Sequence, residues 1–176
     1  MDITVRAYHC EDLSQMTDIW NAVVHEGLAF PQIEPLTEAS AKEFFAQQSH
    51  TGVAVNGDEV VGLYILHPNN IGRCGHISNA SYAVKQGCTG RGIGEKLVRD
   101  CIRTGAALGF RILQFNAVVA TNTAAIRLYD KLGFHRLGRI PKGFMQKNGA
   151  YEDIILFYIE LEHEKEPQYT SSPDTF

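Results

Sequence analysis

The sequence predicts one α/β domain, a mixed sheet with helices on both faces. Three observations carry this reading. Short segments that alternate apolar and polar residues, or run apolar between turn signals, recur along the chain as strands do. Between them lie segments whose apolar residues return every three or four positions, such as Ile93, Leu97, Val98, Cys101 and Ile102, the stripe of a helix packed on a sheet. A chain of 176 residues has the length of one domain and buries roughly two thirds of its unfolded surface.

The elements follow in order. Ile3 to Tyr8 alternates as a half-buried strand. Asp12 is placed to cap a helix with apolar positions Leu13, Met16, Ile19, Trp20 and Val23. Gly27 to Leu36, with Pro31 and Pro35, reads as a loop, and Thr37 caps a short helix carrying Phe44 and Phe45. Thr51 to Val55 and Glu59 to Leu66 are strands flanking Asn-Gly-Asp, a hairpin signal. Pro68 to Gly75 is a loop, and His76 to Val84 is a strand that runs into a glycine-rich turn and a helix ending at Gly109. Arg111 to Val118 is a strand, Asn122 to Leu132 a helix with Gly133 at its C-terminal cap, and Phe134 to Ile140 a strand. A loop with Asn148-Gly149 leads to the last strand, Tyr151 to Leu161. The domain is therefore assigned to residues 1–162. The polar tail 163–176, with Pro167 and Pro173, is expected to be mobile.

The stretch AVKQGCTGRGIGEKL, Ala83 to Leu97, is the most informative. A strand, four glycines (Gly87, Gly90, Gly92, Gly94) and a helix start collect unpaired N–H groups and the positive end of a helix dipole at one point, which suits a phosphate. A mononucleotide P-loop needs Lys and then Ser or Thr after Gly92, where Ile93 and Gly94 stand. A dinucleotide fingerprint beginning at Gly90 needs Gly or Ala where Glu95 stands, and an acid at the end of the next strand, which closes at Asn116. The remaining pattern, Gly-x-Gly-x-Gly opening a helix after a strand, resembles the acetyl-CoA pyrophosphate loop of the Gcn5-related N-acetyltransferase (GNAT) superfamily. Gly92 and Gly94 match its usual pattern, while Thr89 stands where Arg or Gln is usual. That departure leaves the backbone cradle intact.

A second segment, FNAVVATNTAAIRLYDKLGF from Phe115 to Phe134, is similar to the superfamily's strand, loop and helix that end on a Leu-Gly-Phe. The resemblance extends over Ile3 to Leu161. The runs NNIGRCGHISNASYAV and ILQFNAVVATN further resemble the branch of microbial acetyltransferases that act on small amines and amino-acid analogues. It implies a mostly antiparallel sheet, acetyl-CoA as acetyl donor, and an N-acetyltransferase acting directly on the amine of a small molecule or amino acid. It also implies a cofactor site made of Tyr82, Ala83, Val84, Thr89, Gly90, Arg91, Gly92, Ile93, Gly94, Glu95, Asn122, Ala125 and Tyr129. The Gly27 to Leu36 region then covers the acceptor pocket, and the two central strands splay to let donor and acceptor meet.

Catalytic residues carry alternatives. By spacing alone Tyr129 is a core aromatic beside Ala125, Ile126, Leu128 and Leu132; the resemblance makes it the acid that meets the coenzyme thiolate. Asn122 is an N-cap, a cofactor contact, or both. Asn79 and Asn116 are amides in otherwise apolar strands, which need partners: they orient the acceptor amine or the thioester carbonyl, or are satisfied structural amides. No general base stands out among Glu26, Glu34 and His76. His67, Cys74 and His76 form an incomplete metal set with no zinc spacing, so no metal is expected. No Cys-His-Asp arrangement for an acyl-enzyme is visible.

Composition excludes other classes. A net charge of −4, with sixteen Lys plus Arg spread along the chain, gives no basic stripe for nucleic acid. MDITVRAYHCEDL is not a secretory signal, no apolar run spans a bilayer, and the four scattered cysteines fit a reducing compartment, so a cytoplasmic protein with no membrane partner is expected. The oligomeric state stays open, with a homodimer admitted by superfamily members that often pair. Two rivals remain: a non-catalytic acyl-CoA-binding sensor, and an acetyltransferase of protein N-termini or lysines, which needs an open groove.

Overall fold

Seven strands, β1 (Ile3–Ala7), β2 (His50–Asn56), β3 (Glu59–Pro68), β4 (Ile77–Val84), β5 (Ile112–Val119), β6 (His135–Met145) and β7 (Tyr151–Glu160), form one sheet in the order β1-β2-β3-β4-β5-β7-β6. The computed structural model describes residues 2–162, so the tail expected to be mobile lies outside the described residues. Every neighbouring pair is antiparallel except β4 and β5, which run parallel. The mixed, mostly antiparallel sheet is thus the one expected.

Helices α1 (Leu13–Glu26) and α2 (Glu38–Ala46) cover one face, and α3 (Ile93–Ala107) and α4 (Thr123–Lys131) the other. The central strand β3 shows why both faces are needed. Leu63 and Ile65 pack with Met16, Trp20 and Phe45 on the α1/α2 side, while Tyr64 and Leu66 pack with Leu97, Cys101 and Phe157 on the other. A strand apolar on both sides is stable only between two layers. Trp20 anchors the first layer, with ring centroids 4.4 Å from Phe30 and 5.9 Å from Phe45.

Two local expectations are corrected. Asp12 does not cap α1. A 3-10 turn, Cys10–Asp12, precedes the helix, and Asp12 already has right-handed helical dihedrals (φ −78°, ψ −20°), whereas side-chain capping acts from an extended residue. Its carboxylate instead accepts the His9 N–H (2.7 Å) and pairs with Arg6 at 2.6 and 3.0 Å. Strand β6 runs on to Met145 where an end at Ile140 was expected. It is the edge strand, so Pro141 removes no ladder bond there, and Lys142 (φ 55°) takes up the irregularity between Ile140 and Phe144. The caps expected from Thr37 and Asn122 do form: each side-chain oxygen accepts an N–H three residues on, from Ser40 and Ala125, at 3.2 Å.

Candidate active site

Strands β4 and β5 share only two registered pairs, Ile77 with Ile112 and Ser78 with Leu113, and then part. Two side chains hold the fork. The buried Ser78 hydroxyl donates to the Ile112 carbonyl (2.9 Å), and Asn79 Oδ1 accepts the N–H of Ala80 (2.8 Å), a donor that has lost its β5 partner. Bonds from the Lys85 N–H to the Val61 carbonyl (2.9 Å) and from the Asn69 N–H to the Ile77 carbonyl (2.7 Å) bracket the β3–β4 ladder. Antiparallel pairing alternates, so the main-chain groups of residues 79, 81 and 83 turn to β3, and those of Ala80, Tyr82 and Val84 turn to the gap.

A cavity of about 260 Å³ fills this gap. Asn79, Tyr82, Asn116, Asn122, Ala125 and Tyr129 all line it, and Phe30 and Pro31 wall it from the α1–α2 connection. Asn116 sits where the β5–β7 register shifts between Phe115 and Val118. It is exposed there, not enclosed in an apolar strand as expected, because the bulge turns it out of the ladder. Its amide exchanges hydrogen bonds with Asn69 (2.6 and 3.2 Å) and accepts from Gln114 (2.9 Å). Asn69 and Gln114 were not foreseen, since only the fold brings residue 69 beside residue 116.

Ala83 is the one expected cofactor residue that the fold turns away. Its side chain is 1% exposed in the α1/α2-side core and its main-chain groups face β3. Tyr82 divides its roles: its main chain meets the gap, while its hydroxyl is buried beside the Cys101 thiol, and burial first, then that neighbour, pushes its pKa up.

At the glycine turn, Gly87, Gly90 and Gly92 have φ of +78°, +77° and +76°, and a Cβ at any of them would meet nothing within 4 Å. The space before the turn is open. Gly92 caps α3, its carbonyl accepting the Lys96 N–H (3.1 Å), so the N–H groups of Ile93, Gly94 and Glu95 precede the first helical acceptor. Thr89, Gly90, Arg91 and Gly92 are exposed on the turn. The Ile93 side chain is core, and the Glu95 carboxylate holds Arg99 (2.9 Å) and Lys131 (2.6 Å), so these two residues offer the turn only their main chain. The Lys131 bond, and then Arg99, keep that carboxyl below its usual range. Backbone donors, a positive helix end and a neutralised acid suit a diphosphate.

Tyr129 lies 8% exposed among Phe115, Phe134 and Phe157, with centroids at 4.5, 5.4 and 5.6 Å. Burial pushes its pKa well above the usual value, so the phenol stays protonated at neutral pH. None of the residues weighed as general base lines the cavity. Glu26 accepts from Gln86 (2.8 Å), while Glu34 and His76 are exposed elsewhere. Among the described residues no three His, Cys, Asp or Glu side chains are placed to hold a metal, and no helix is long and apolar enough to cross a membrane.

Residues 15–134 match the profile described as "Acetyltransferase (GNAT) family". The chain belongs to that family. This GNAT chain is therefore an N-acetyltransferase by descent, and the family's acetyl donor is acetyl-CoA. It is similar to the N-acetyltransferase aca1 of Schizosaccharomyces pombe, 28% identical over 165 residues covering 84% of this chain and 79% of that protein. A GCN5-related N-acetyltransferase from Kribbella flavida has a similar structure, with TM-score 0.84 and 32% identity over 90% of this chain and 98% of the other. A phosphinothricin acetyltransferase from Sinorhizobium meliloti, solved in complex with acetyl-CoA, shares the fold at TM-score 0.85 and 23% identity, over 99% of this chain and 98% of that one.

Proposed function

We propose that this GNAT protein transfers acetyl from acetyl-CoA directly to the amine of a small molecule. The observation that carries the reading is the forked sheet. Main-chain groups of Ala80 and Tyr82 face one cavity that Tyr129 also lines, and β4 runs from it straight into the glycine turn. In this reading the diphosphate lies on the N–H groups of Gly90 to Gly94, with the helix dipole adding roughly 0.3–1 kcal/mol per anionic contact. The amides of the pantetheine arm pair with the free edge of β4.

The neutral amine attacks the thioester carbonyl, the carbon–sulfur bond breaks, and the proton lost by the amine completes the thiol. Tyr129, held protonated by burial, donates a hydrogen bond to sulfur as negative charge develops there. Among the described residues no carboxylate or imidazole lines the cavity, so water relays the amine proton to the sulfur. An acyl-enzyme is disfavoured: Cys101 is buried, and burial pushes its thiol up to about 12, far from the thiolate that nucleophilic attack needs.

Thiol release from acetyl-CoA with a broad panel of small amines tests the reading. Amine-dependent release is expected. Silence across the panel from a protein that still binds acetyl-CoA would make it a binding module, and release only with peptides would move the acceptor to proteins.

A further inference from the structure

Side-chain amides gather on one face of the fork. Leu113 and Phe115 point into the α3/α4 layer that holds Tyr129, so Gln114 and Asn116, out of phase with them, point the other way. Asn79, in phase with Ala83, points to that same face, where Phe30 and Pro31 wall the cavity. Asn69, just past the end of β3, reaches over and bonds Asn116.

The hydrogen bonds give these amides one polarity. Asn116 Oδ1 accepts from Asn69 Nδ2 (3.2 Å) and from Gln114 Nε2 (2.9 Å), which fills both of its lone pairs. Asn116 Nδ2 donates one hydrogen to Asn69 Oδ1 (2.6 Å) and keeps the other. Asn79 Oδ1 is likewise taken, by the Ala80 N–H, which leaves its Nδ2 to the cavity it lines. Asn116 is exposed and Asn79 only half-buried, so both are open to a ligand. Asn116 can therefore donate to an oxygen, but has no lone pair left for an amine N–H. The thioester oxygen has main-chain donors on the β4 edge, whereas the amides stand on the face away from Tyr129, the side left for the acceptor. In a cavity of about 260 Å³ an oxygen read there must sit close to the reacting nitrogen.

Resting on the transfer reading above, we infer that Asn69 is a positioning residue that clamps the Asn116 amide with its donor towards the cavity, so that the site selects an amine whose own carbon bears a carbonyl or carboxylate. A plain alkylamine leaves the clamped donor unpaired and is the poorer substrate.

The test is thiol release at saturating acetyl-CoA with matched sets: ethylamine, alanine and alaninamide; isopentylamine, leucine and leucinamide; phenethylamine, phenylalanine and phenylalaninamide. Wild type, Asn69→Ala, Asn69→Asp, Asn116→Ala and the Asn69→Ala/Asn116→Ala double variant are compared. Each substrate is read against itself in wild type, so differences in amine basicity cancel. In Asn69→Ala at least one oxygen-bearing member is expected to lose about tenfold more kcat/KM than its plain amine, the scale of one hydrogen bond, with the loss in the acceptor KM. A loss confined to the amino acid marks a carboxylate, and one shared by its amide marks any carbonyl oxygen. Asn69→Asp, which still accepts from Asn116 Nδ2, should keep the preference. Adding Asn69→Ala to Asn116→Ala should change it no further, because Asn69 acts through Asn116. Acetyl-CoA affinity like that of wild type, measured by calorimetry, shows that the variants fold.

An equal loss with the plain amines would put Asn116 on the reacting nitrogen or the thioester and overturn the inference. So would no response to Asn69, or independent effects of the two substitutions. Release with other amines but none of these sets also overturns it, while leaving an active acetyltransferase. No thiol release from any amine removes the transfer reading and this inference together.

Discussion

Tyr129 and Gly92 are positions where a few atoms decide the outcome. Tyr129→Phe keeps the ring among Phe115, Phe134 and Phe157 and removes only the hydroxyl. A hydrogen bond to a developing charge is worth about 1.5–3 kcal/mol, so kcat is expected to fall about tenfold to a hundredfold while acetyl-CoA affinity holds. Unchanged turnover at saturating substrate would return Tyr129 to a packing role. At Gly92 the backbone itself is the constraint. With φ at +76°, a β-branched side chain is strained, yet the surrounding space is open, so Gly92→Val is expected to fold with some loss of stability and to bind acetyl-CoA at least about tenfold more weakly. Calorimetry on a variant with native circular dichroism checks this; wild-type affinity would end the cradle reading. The turn at Gly92 and the capped helix that carries Tyr129 were legible in the sequence, because such signals are carried by neighbours along the chain; the part given to Tyr129 in catalysis came from the resemblance alone and is a proposal.

At the scale of elements, the β4–β5 fork depends on Asn79 covering the Ala80 N–H. Asn79→Ala is expected to cost about 1 kcal/mol and to raise KM for acetyl-CoA, as the free donor competes for the thioester arm; an unchanged KM would leave Asn79 purely structural. In the neighbouring pair, a Cβ on Gly52 would stand 2.3 Å from the Tyr64 ring, so Gly52→Ala is expected to lower stability by about 1–3 kcal/mol in denaturant melts. The periodicity of these elements was readable, and so was their order. Three things were not. Asp12 looks like a cap in one dimension, but Arg6 across the turn claims its carboxylate. Pro141 looks like a terminator, but an edge strand tolerates it. Asn116 looks enclosed by its apolar neighbours, yet a bulge turns it outward to Asn69, a partner 47 positions away. Each miss is a case of tertiary context overriding a local signal. Phe30 and Pro31 belong to the Gly27 to Leu36 segment that the resemblance alone placed over the acceptor pocket, and they line the cavity in the fork.

Across the whole molecule, one buried layer gathers Tyr64, Tyr82, Tyr129 and Cys101, and burial raises the pKa of all four. A raised pKa means that the folded chain keeps protons the unfolded chain releases. The associated stability is complete below the ordinary values of 9.0 for the thiol and 10.0 for the phenols, and is lost as pH rises past them. Thermal melts between about pH 8 and 11 should therefore show Tm falling from about pH 9, with Cys101→Ala moving the onset towards 10 even though the smaller side chain lowers Tm throughout. A flat profile would contradict the buried layer. The divided sheet has a mechanical consequence as well. Strands β1 to β4 and β5 to β7 are stitched by two residue pairs at one end, and across the helices by the Glu95–Lys131 ion pair. A donor seated along the free edge of β4, as proposed above, would take the place of a missing strand, so the seam is expected to be closed with donor bound and open without it. Amide hydrogen exchange at Tyr82 and Val84 is where that zipping registers, slow with coenzyme in place and fast without it.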